Sequence, residues 1–362
     1  MRDLVPDVGR IAVLRANSLG DFVFALPALE SLRAAYPDAE LVLLGAPWHA
    51  RWLTGRPGPV DRVLVVPPGD GIRPAEPDEP PVGAVRERFD LAIQLHGGGA
   101  NSNPIVAALG ARVTAGLRAP GAPPLDRWIR YVYHQPEVFR YLEVVELVGA
   151  APVTTTPRLG ATPAEMAEAR AVAGRPTRPR VALHPGATDP RRRWPVERFA
   201  AVADALAGGG FEVVATGTPG EREVVAGLVA AARKPVRPLV GALSLGGLVG
   251  LYAECAALVA NDTGPLHVAA ALGTPTVGIY TPSNYINGAT PWRARHRPIA
   301  SWIIHCPVCG VDLSHPGSGD CPHRVSMVTA VTVGEVLEAV LDVTGPRATA
   351  PAANGVGRGS AR

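Results

Sequence analysis

An Asn-Asp-Thr-Gly sequence at residues 261–264 follows the apolar run ALVA and precedes a proline and a histidine. Ligands of parallel sheets collect where strands end, and proline is suited to the first turn of a helix. A helix N-terminus carries free N–H groups and about half a positive charge. We therefore expect Asp262, Thr263 and Gly264 to form a phosphate site, with His267 as an added donor. The same residues would also serve as an ordinary helix cap without a ligand.

A second polar turn, residues 185–188, separates the apolar run VALH from three consecutive arginines and Trp194. If both turns lie at one sheet edge, they could hold a diphosphate between them. An arginine such as Arg192 would then neutralise the charge of the leaving group, with Thr188 as a hydrogen-bond donor. Three consecutive arginines are by themselves more typical of a solvated surface.

Asp21, in the segment NSLGDFVF, follows a glycine near the predicted start of a helix. A carboxylate in this position could face a cleft and remove a proton from a hydroxyl, or it could simply cap the helix. Three glycines at 97–99 follow another apolar run and would let the backbone approach a sugar, although a flexible turn explains them equally well. We take His96 and Asn101 as acceptor-side candidates on this basis.

Three of the four cysteines lie close together in HCPVCGVDLSHPGSGDCPHR. Cys306, Cys309 and Cys321 could coordinate zinc with a nearby histidine, His323 among them. Ordinary reduced cysteines explain the same segment, because a complete pair of Cys-x-x-Cys knuckles is missing. We expect no catalytic metal, since no His/Asp/Glu cluster has a convincing spacing for Mg²⁺.

The strands and helices predicted around these residues form two similar halves. RIAVL, a polar turn, apolar residues at helical spacing and ELVLLG form a β-α-β unit, and the pattern restarts at RPRVALHP. Continuous apolar strands alternating with helices predict parallel sheets covered on both faces. We place one domain at 1–175 and a second at 176–344, whose last helix could pack back on the first. The proline-rich segment 66–89 is predicted to be a surface loop, and 345–362 a disordered tail.

Composition narrows the class of protein. The chain has 362 residues and a net charge of +3, so two domains are expected and nucleic acid is not the expected partner. We expect no export signal and no membrane span, and hence a cytoplasmic protein. Aromatic residues interleaved with arginines at 126–149 are expected mainly in the core, with contact to the inner membrane face as the minority interpretation.

Three motifs together resemble one family. NSLGD after the first strand, LHPGA followed by RRRWP, and NDTGPLHVAAALGTPTVGIYTPSN are similar to the bacterial heptosyltransferases of glycosyltransferase family 9. The resemblance runs with gaps from about residue 10 to about residue 343. It implies the GT-B architecture, in which two Rossmann-like domains with parallel sheets face an interdomain cleft. It also implies a nucleotide-diphospho-sugar donor, ADP-heptose in characterised members, with no cofactor.

The resemblance assigns roles residue by residue. Asp21 matches the proposed general base of an inverting transfer, and Asn17 and Ser18 would shape the acceptor pocket. Arg192 stands where the family commonly has lysine, which keeps the charge but changes its geometry. Glu221 matches an acidic position that contacts the donor ribose, although Glu223 is within alignment error. The donor-binding residues implied are Thr188, Arg192, Glu221, Asp262, Thr263, Gly264 and His267.

Two alternatives keep the fold and change the function. GT-B scaffolds also carry sugar-nucleotide epimerases, and a chain with arginine at position 192 could bind a nucleotide-sugar without transferring it. A dinucleotide-dependent dehydrogenase is disfavoured, because neither half has Gly-x-Gly-x-x-Gly after its first strand.

Overall fold

The computed structural model describes residues 3–69, 71–74, 76, 86–290, 294–315 and 321–345. Part of the predicted loop at 66–89 and all of the predicted tail beyond residue 345 lie outside the described residues.

The first half is built from a sheet and the helices that cover it. Its central strands read as continuous apolar runs, such as RIAVL and LAIQ, because they are buried on both faces. Its elements are β1 (Arg10–Leu14), α1 (Leu19–Ala35), β2 (Glu40–Gly45), α2 (Pro47–Leu53), β3 (Arg62–Val65), β4 (Leu91–Gln94), α3 (Ser102–Ala108), β5 (Val113–Arg118), β6 (Arg127–Arg130), α4 (Glu137–Glu146) and α5 (Pro163–Ala173).

The second half repeats this construction. Two 3₁₀ turns, Pro190–Arg192 and Pro219–Glu221, precede α6 and α7. Its elements are β7 (Arg180–His184), α6 (Val196–Gly208), β8 (Glu212–Ala215), α7 (Arg222–Ala231), β9 (Arg237–Pro238), α8 (Leu245–Ala253), β10 (Ala257–Asn261), α9 (Gly264–Ala271), β11 (Thr276–Tyr280), α10 (Pro282–Gly288), β12 (His296–Ala300) and α11 (Val333–Thr344).

Each half forms a six-stranded parallel sheet, in the orders β3-β2-β1-β4-β5-β6 and β12-β11-β10-β7-β8-β9. These are the same doubly wound order, and the strand order reverses between β1 and β4 and between β7 and β10. A crevice opens at each reversal, since the connections leave in opposite directions there. The predicted α/β fold with two parallel sheets is confirmed, and the motif turns follow β1, β4, β7 and β10.

The two halves meet where α1 and α9 begin. A Cβ added at Gly264 would lie 3.0 Å from the Cβ of Leu19, and one added at Gly20 would lie 3.0 Å from Cδ2 of His267. Larger residues at either glycine would push the helices apart. The ring centroids of Phe24 and His267 lie 4.5 Å apart across the same junction. Both helix N-termini therefore open onto one space between the halves.

Two helices lie near the predicted domain boundaries. α5 precedes the boundary at 175 and contacts both halves: it packs closely against α8, while its Glu165 accepts from Trp52 Nε1 and pairs with Arg56 of the first half. α11, which we expected could return to the first domain, instead packs against α6 and the strands β10 to β12. The reason is its apolar face: Val336, Ala339 and Val340 are buried together with residues of the second sheet. The boundary itself stays a prediction.

Among the described residues, the structure contains no helix with both the length and the apolar character that crossing a bilayer requires.

Candidate active site between the two halves

A cavity of about 170 Å³ lies between the start of α1 and the loops of the second sheet. It brings Asp21 together with most of the predicted phosphate-binding residues, which come more than 160 positions later in the sequence. Its lining residues from the two halves are Ser18, Gly20, Asp21, Phe24 and Glu137, facing Arg192, Asp262, Thr263, Gly264, His267, Asn284, Asn287 and Gly288.

Asp21 lies in the first turn of α1 with its side chain 30% exposed. Ser18, and not Asp21, is the N-cap residue, so the capping alternative for Asp21 does not hold. Instead of capping the backbone, Ser18 Oγ donates to Asp21 Oδ2 at 2.6 Å. Arg15 Nη2 lies 2.9 Å from the other carboxylate oxygen. The carboxylate is thus held from two sides while it faces the cavity.

Arg15 is a residue that sequence reasoning missed. It is 3% exposed, donates to the carbonyl of Leu95 at 2.6 Å, and stacks over the ring of Tyr141 at 4.9 Å. A buried guanidinium needs such partners, because an unpaired charge in the interior is costly. The sequence did contain a signal for Arg15, because a charged residue directly follows the apolar run RIAVL.

Asp262, unlike Asp21, is a buried carboxylate. Its side chain is 8% exposed, and its carboxylate accepts from His267 Nε2 at 3.0 Å and from Asn284 Nδ2 at 2.6 Å. Arg192 Nη1 lies 3.3 Å from Asp262 Oδ2. Burial alone would raise the pKa of this carboxyl, but the hydrogen bond from His267 and the charge of Arg192 lower the pKa below its ordinary value. Asp262 is therefore an ionised group that organises its neighbours.

The start of α9 has no side-chain cap. Thr263 is the N-cap residue but makes no capping hydrogen bond, and the Asp262 carboxylate is occupied elsewhere. The cap interpretation of residues 261–264 is therefore not supported, and the N-terminus of α9 faces the cavity. Two buried polar atoms, Nε of Arg192 and Oδ1 of Asn287, have no hydrogen-bond partner. Such polar atoms beside a cavity are natural partners for a ligand.

A second cavity of about 390 Å³ adjoins the first, and Ser18, Thr263 and Gly264 line both. Most of its walls are apolar, with Thr188 and Glu221 among the polar side chains. An apolar slot with a few polar groups suits a nucleoside. The apolar residues of this cavity are Leu19, Pro219, Leu239, Leu243, Leu245, Leu248 and Pro265.

Glu221 is the acidic residue that reaches this cavity. Its Oε2 accepts from the backbone N–H of Thr218 at 2.8 Å, and a Cβ at Gly186 would overlap its Oε1 at 2.0 Å. A side chain at position 186 would therefore displace the Glu221 carboxylate. Glu223 is exposed on α7 and does not line the cavity, so of the two acidic residues only Glu221 reaches it.

Three acceptor-side candidates take other positions. His96 accepts from the N–H of Ala16 at 3.3 Å and donates to the carbonyl of Gly71 at 3.0 Å, so both ring nitrogens are occupied. Burial first of all, and then the charge of Arg15, lower the pKa of His96 to about 4. Asn101 is exposed at the start of α3, and neither it nor Asn17 lines the cavity. Ser18 alone of the four does.

Sequence reasoning also missed two cavity residues. Glu137, at the start of α4, is a second carboxylate that the first half brings to the cavity, where it pairs with Arg140 and Tyr141. Asn284 supplies the amide that binds Asp262. The TPSN end of the third motif contained a signal for Asn284, whereas Glu137 lies outside all three motifs.

Two doubly wound halves with a cavity between them define an α/β protein of GT-B architecture. A family model for glycosyltransferase family 9 (heptosyltransferase) matches residues 83–312, which is more than half of the chain. The chain belongs to that family.

Individual relatives agree with this family. Lipooligosaccharide heptosyltransferase 2 of Haemophilus ducreyi is 26% identical over 297 residues, 76% of this chain and 84% of the relative. Lipopolysaccharide heptosyltransferase 2 of Escherichia coli (strain K12) is 38% identical over 112 residues, 30% of this chain and 32% of the relative. The match thus spans about a third of the E. coli protein. The solved structure of E. coli ADP-heptose lps heptosyltransferase II has a TM-score of 0.68 at 22% identity, covering 92% of this chain and 98% of that chain.

Proposed function

We propose that this protein is an inverting glycosyltransferase that moves a sugar, heptose or a close relative, from an ADP-linked donor to a hydroxyl of a glycan acceptor. The observation that carries this proposal is the pairing of Asp21 with the uncapped N-terminus of α9 across one cavity. One wall offers a base and the facing wall offers a site for an anion.

The donor spans the two adjoining cavities, with its nucleoside in one and its sugar in the other. The nucleoside occupies the apolar second cavity, where Glu221 accepts hydrogen bonds from the ribose hydroxyls. Thr263 and Gly264, which line both cavities, receive the diphosphate. Thr188 and Arg192 add donors to it. The sugar then lies in the smaller cavity, facing Asp21.

A single displacement accounts for inversion. The acceptor oxygen attacks the anomeric carbon from the face opposite the diphosphate, and Asp21 takes the proton of that hydroxyl. The bond from the anomeric carbon to the diphosphate oxygen breaks, and its electron pair leaves with the diphosphate. The α9 N-terminus and Arg192 stabilise the charge that develops there.

The arrangement of the carboxylates supports chemistry without a metal. Mg²⁺ is held through free carboxylates and substrate phosphates, but Asp21 is bound by Arg15 and Ser18, and Asp262 by three side chains. Within the part of the chain that the structure describes, the one cluster with metal-ligand geometry is Cys306, Cys309, Cys321 and His323, none of which lines this cavity.

The names of the relatives support the choice of donor and acceptor. ADP-heptose and lipopolysaccharide appear among them, and we propose a lipopolysaccharide-type core sugar or another envelope or secondary-metabolite glycan as the acceptor. The four cysteines do not resemble the framework of a secreted disulfide scaffold, which supports a cytoplasmic enzyme. Exposed Trp128 and Phe139 are the groups with which it could touch the inner membrane face.

A two-stage assay tests the proposal. A bound donor raises the unfolding temperature, so a thermal-shift panel of ADP-, GDP-, UDP- and dTDP-sugars should give the largest shift with the ADP-sugar. ADP release should then require an acceptor. An isomerised sugar-nucleotide formed without acceptor would indicate an epimerase. Binding without ADP release across a panel of glycan acceptors would indicate a non-catalytic binding protein.

A further inference from the structure

The segment between β12 and α11 is held without regular secondary structure. Residues 301–315 and 321–332 contain no helix and no strand beyond one isolated bridge between His305 and Asp312. Nevertheless Cys306 is only 2% exposed, and the nearby Met327 and Val328 are buried as well. An irregular segment of this length needs some other constraint to keep one conformation.

Four ligand atoms converge in this segment. The Sγ atoms of Cys306, Cys309 and Cys321 and a ring nitrogen of His323 all lie within 4.8 Å of one another. Cys309 Sγ is 3.6 Å from Cys321 Sγ, and Cys321 Sγ is 3.7 Å from His323 Nδ1. A disulfide would bring two sulfurs to about 2.05 Å. A tetrahedral zinc ion with Zn–S bonds of about 2.3 Å would place them about 3.8 Å apart.

The local backbone presents the first two sulfurs to a common point. The N–H of Gly310 donates to the carbonyl of Cys306 at 2.8 Å, closing a turn around Cys309. Gly310 has φ +74, a conformation that glycine adopts at little cost. This turn holds the Sγ atoms of Cys306 and Cys309 within 4.8 Å of each other.

We propose that Cys306, Cys309, Cys321 and His323 bind one structural Zn²⁺ ion. Three thiolates and an imidazole in tetrahedral array are a donor set that zinc prefers. All four coordination positions would be filled by the protein, which leaves no open position for a substrate. The ion would therefore act on the fold of the segment and take no part in the transfer reaction.

The structure also indicates what the ion holds in place. A third cavity, of about 330 Å³, lies beside Arg192 and is walled on one side by Ile303, Ile304, Leu313 and Ser314 of this segment. The carbonyl of Ser314 accepts from His134 Nε2 of the first half at 3.0 Å and from Ser283 Oγ at 2.5 Å. The zinc ion would fix the base of a loop that contacts both halves next to the proposed phosphate site.

Metal content of the full chain, purified under reducing conditions without chelator, tests the proposal. We expect about one zinc per chain, and loss of at least nine-tenths of it in Cys309→Ser and Cys321→Ser. Cys255→Ala is the matched control, because Cys255 is a buried free cysteine that lies outside the cluster. This control should keep its zinc. Full zinc retention by the double variant Cys309→Ser/Cys321→Ser would overturn the assignment.

Measurements on the unaltered protein cover the case in which these variants fail to fold. A strong chelator should lower the unfolding temperature by several degrees, and zinc should restore it. Cobalt added to the metal-free protein should give the thiolate charge-transfer and intense visible bands of a tetrahedral site. Absence of zinc after reconstitution, or stoichiometric iron in its place, would overturn the proposal. None of these measurements depends on transferase activity, so they test the zinc site independently of the proposed function.

Discussion

The loop that follows β1 and the loop that follows β10 each contribute to one carboxylate–arginine pair, but the buried member differs between the pairs. Arg192 of the second pair comes from the turn after β7. After β1, a buried cation holds an accessible carboxylate: Arg15 is 3% exposed and Asp21 30% exposed. After β10, a buried carboxylate holds an accessible cation: Asp262 is 8% exposed and Arg192 28% exposed. Both loops follow strands at the reversal point of a sheet with the same strand order.

This difference shows how one fold can present opposite chemistry on facing walls. The buried member of each pair sets the sign and position of the exposed member, because a charge in the interior must be matched by a nearby opposite charge. The first half thereby presents a base, and the second half presents a cation beside a helix N-terminus. The four predictions below test this division of roles.

Removing the exposed carboxylate should have the largest effect. We expect Asp21→Asn to lower kcat about 1,000-fold, within the range for a general base, while the Kd of the ADP-sugar changes little. The asparagine can still accept the hydrogen bond from Ser18. Steady-state kinetics and calorimetric titration of the donor measure the two quantities.

Glu137→Gln is the control for this first prediction, since Glu137 is the other carboxylate that lines the cavity from the first half. Its loss of kcat should be much smaller. Turnover by Asp21→Asn close to that of the unaltered enzyme would assign the base to another residue.

Removing the exposed cation should rank second. We expect Arg192→Ala to lower kcat/KM about 100-fold, because the charge stabilises both the bound diphosphate and its departure. Arg192→Lys should recover about tenfold of this loss by restoring the point charge without the fork of donors. An equal loss of kcat/KM in both variants would show that the positive charge at position 192 does not stabilise the diphosphate.

Glu221 tests the nucleoside side of the second half. Glu221→Gln should raise the donor KM about tenfold with kcat nearly unchanged, as expected for a contact made equally in the ground and transition states. Glu223→Gln, on the exposed face of α7 two residues away, is the matched control and should behave like the unaltered enzyme. An effect at Glu223 in place of Glu221 would contradict the ribose assignment.

His96 tests whether the loop after β4 has only a structural role. The folded protein holds this imidazole neutral, since its pKa is lowered to about 4 from an ordinary 6.5. The unfolded chain therefore binds more protons between these values, and this histidine's contribution to stability is present above pH 6.5 and is lost as the pH falls.

We expect His96 to make the free energy of unfolding roughly 0.7 kcal/mol lower at pH 6 than at pH 7. Denaturant unfolding of His96→Gln at the two pH values should show a difference smaller by that amount. The acceptor KM should stay the same. A raised acceptor KM would restore the acceptor-side role that the sequence suggested for His96.

Local pattern was sufficient to predict much of the architecture. Apolar runs such as RIAVL and ALVAN became buried parallel strands, and the repeated pattern of strand, turn and helix became a second sheet. These features depend on neighbours within a few residues, where propensity and periodicity act. The placement of α11 could not be read in this way, because an amphipathic helix does not specify which sheet it covers.

Local sequence was enough to identify the apolar runs that became central strands and the residue types at the turns behind them, including Asp21, Asp262 and the run containing Arg192. Packing between distant segments set which partner each charge received, and so which carboxylate faces the cavity and which lies buried. Arg15 and Asp262 show the reason: their partners come from turns and helices that only packing brings together, and burial is a property of that packing. The convergence of three cysteines and His323 was likewise decided in three dimensions, whereas their spacing left the question open.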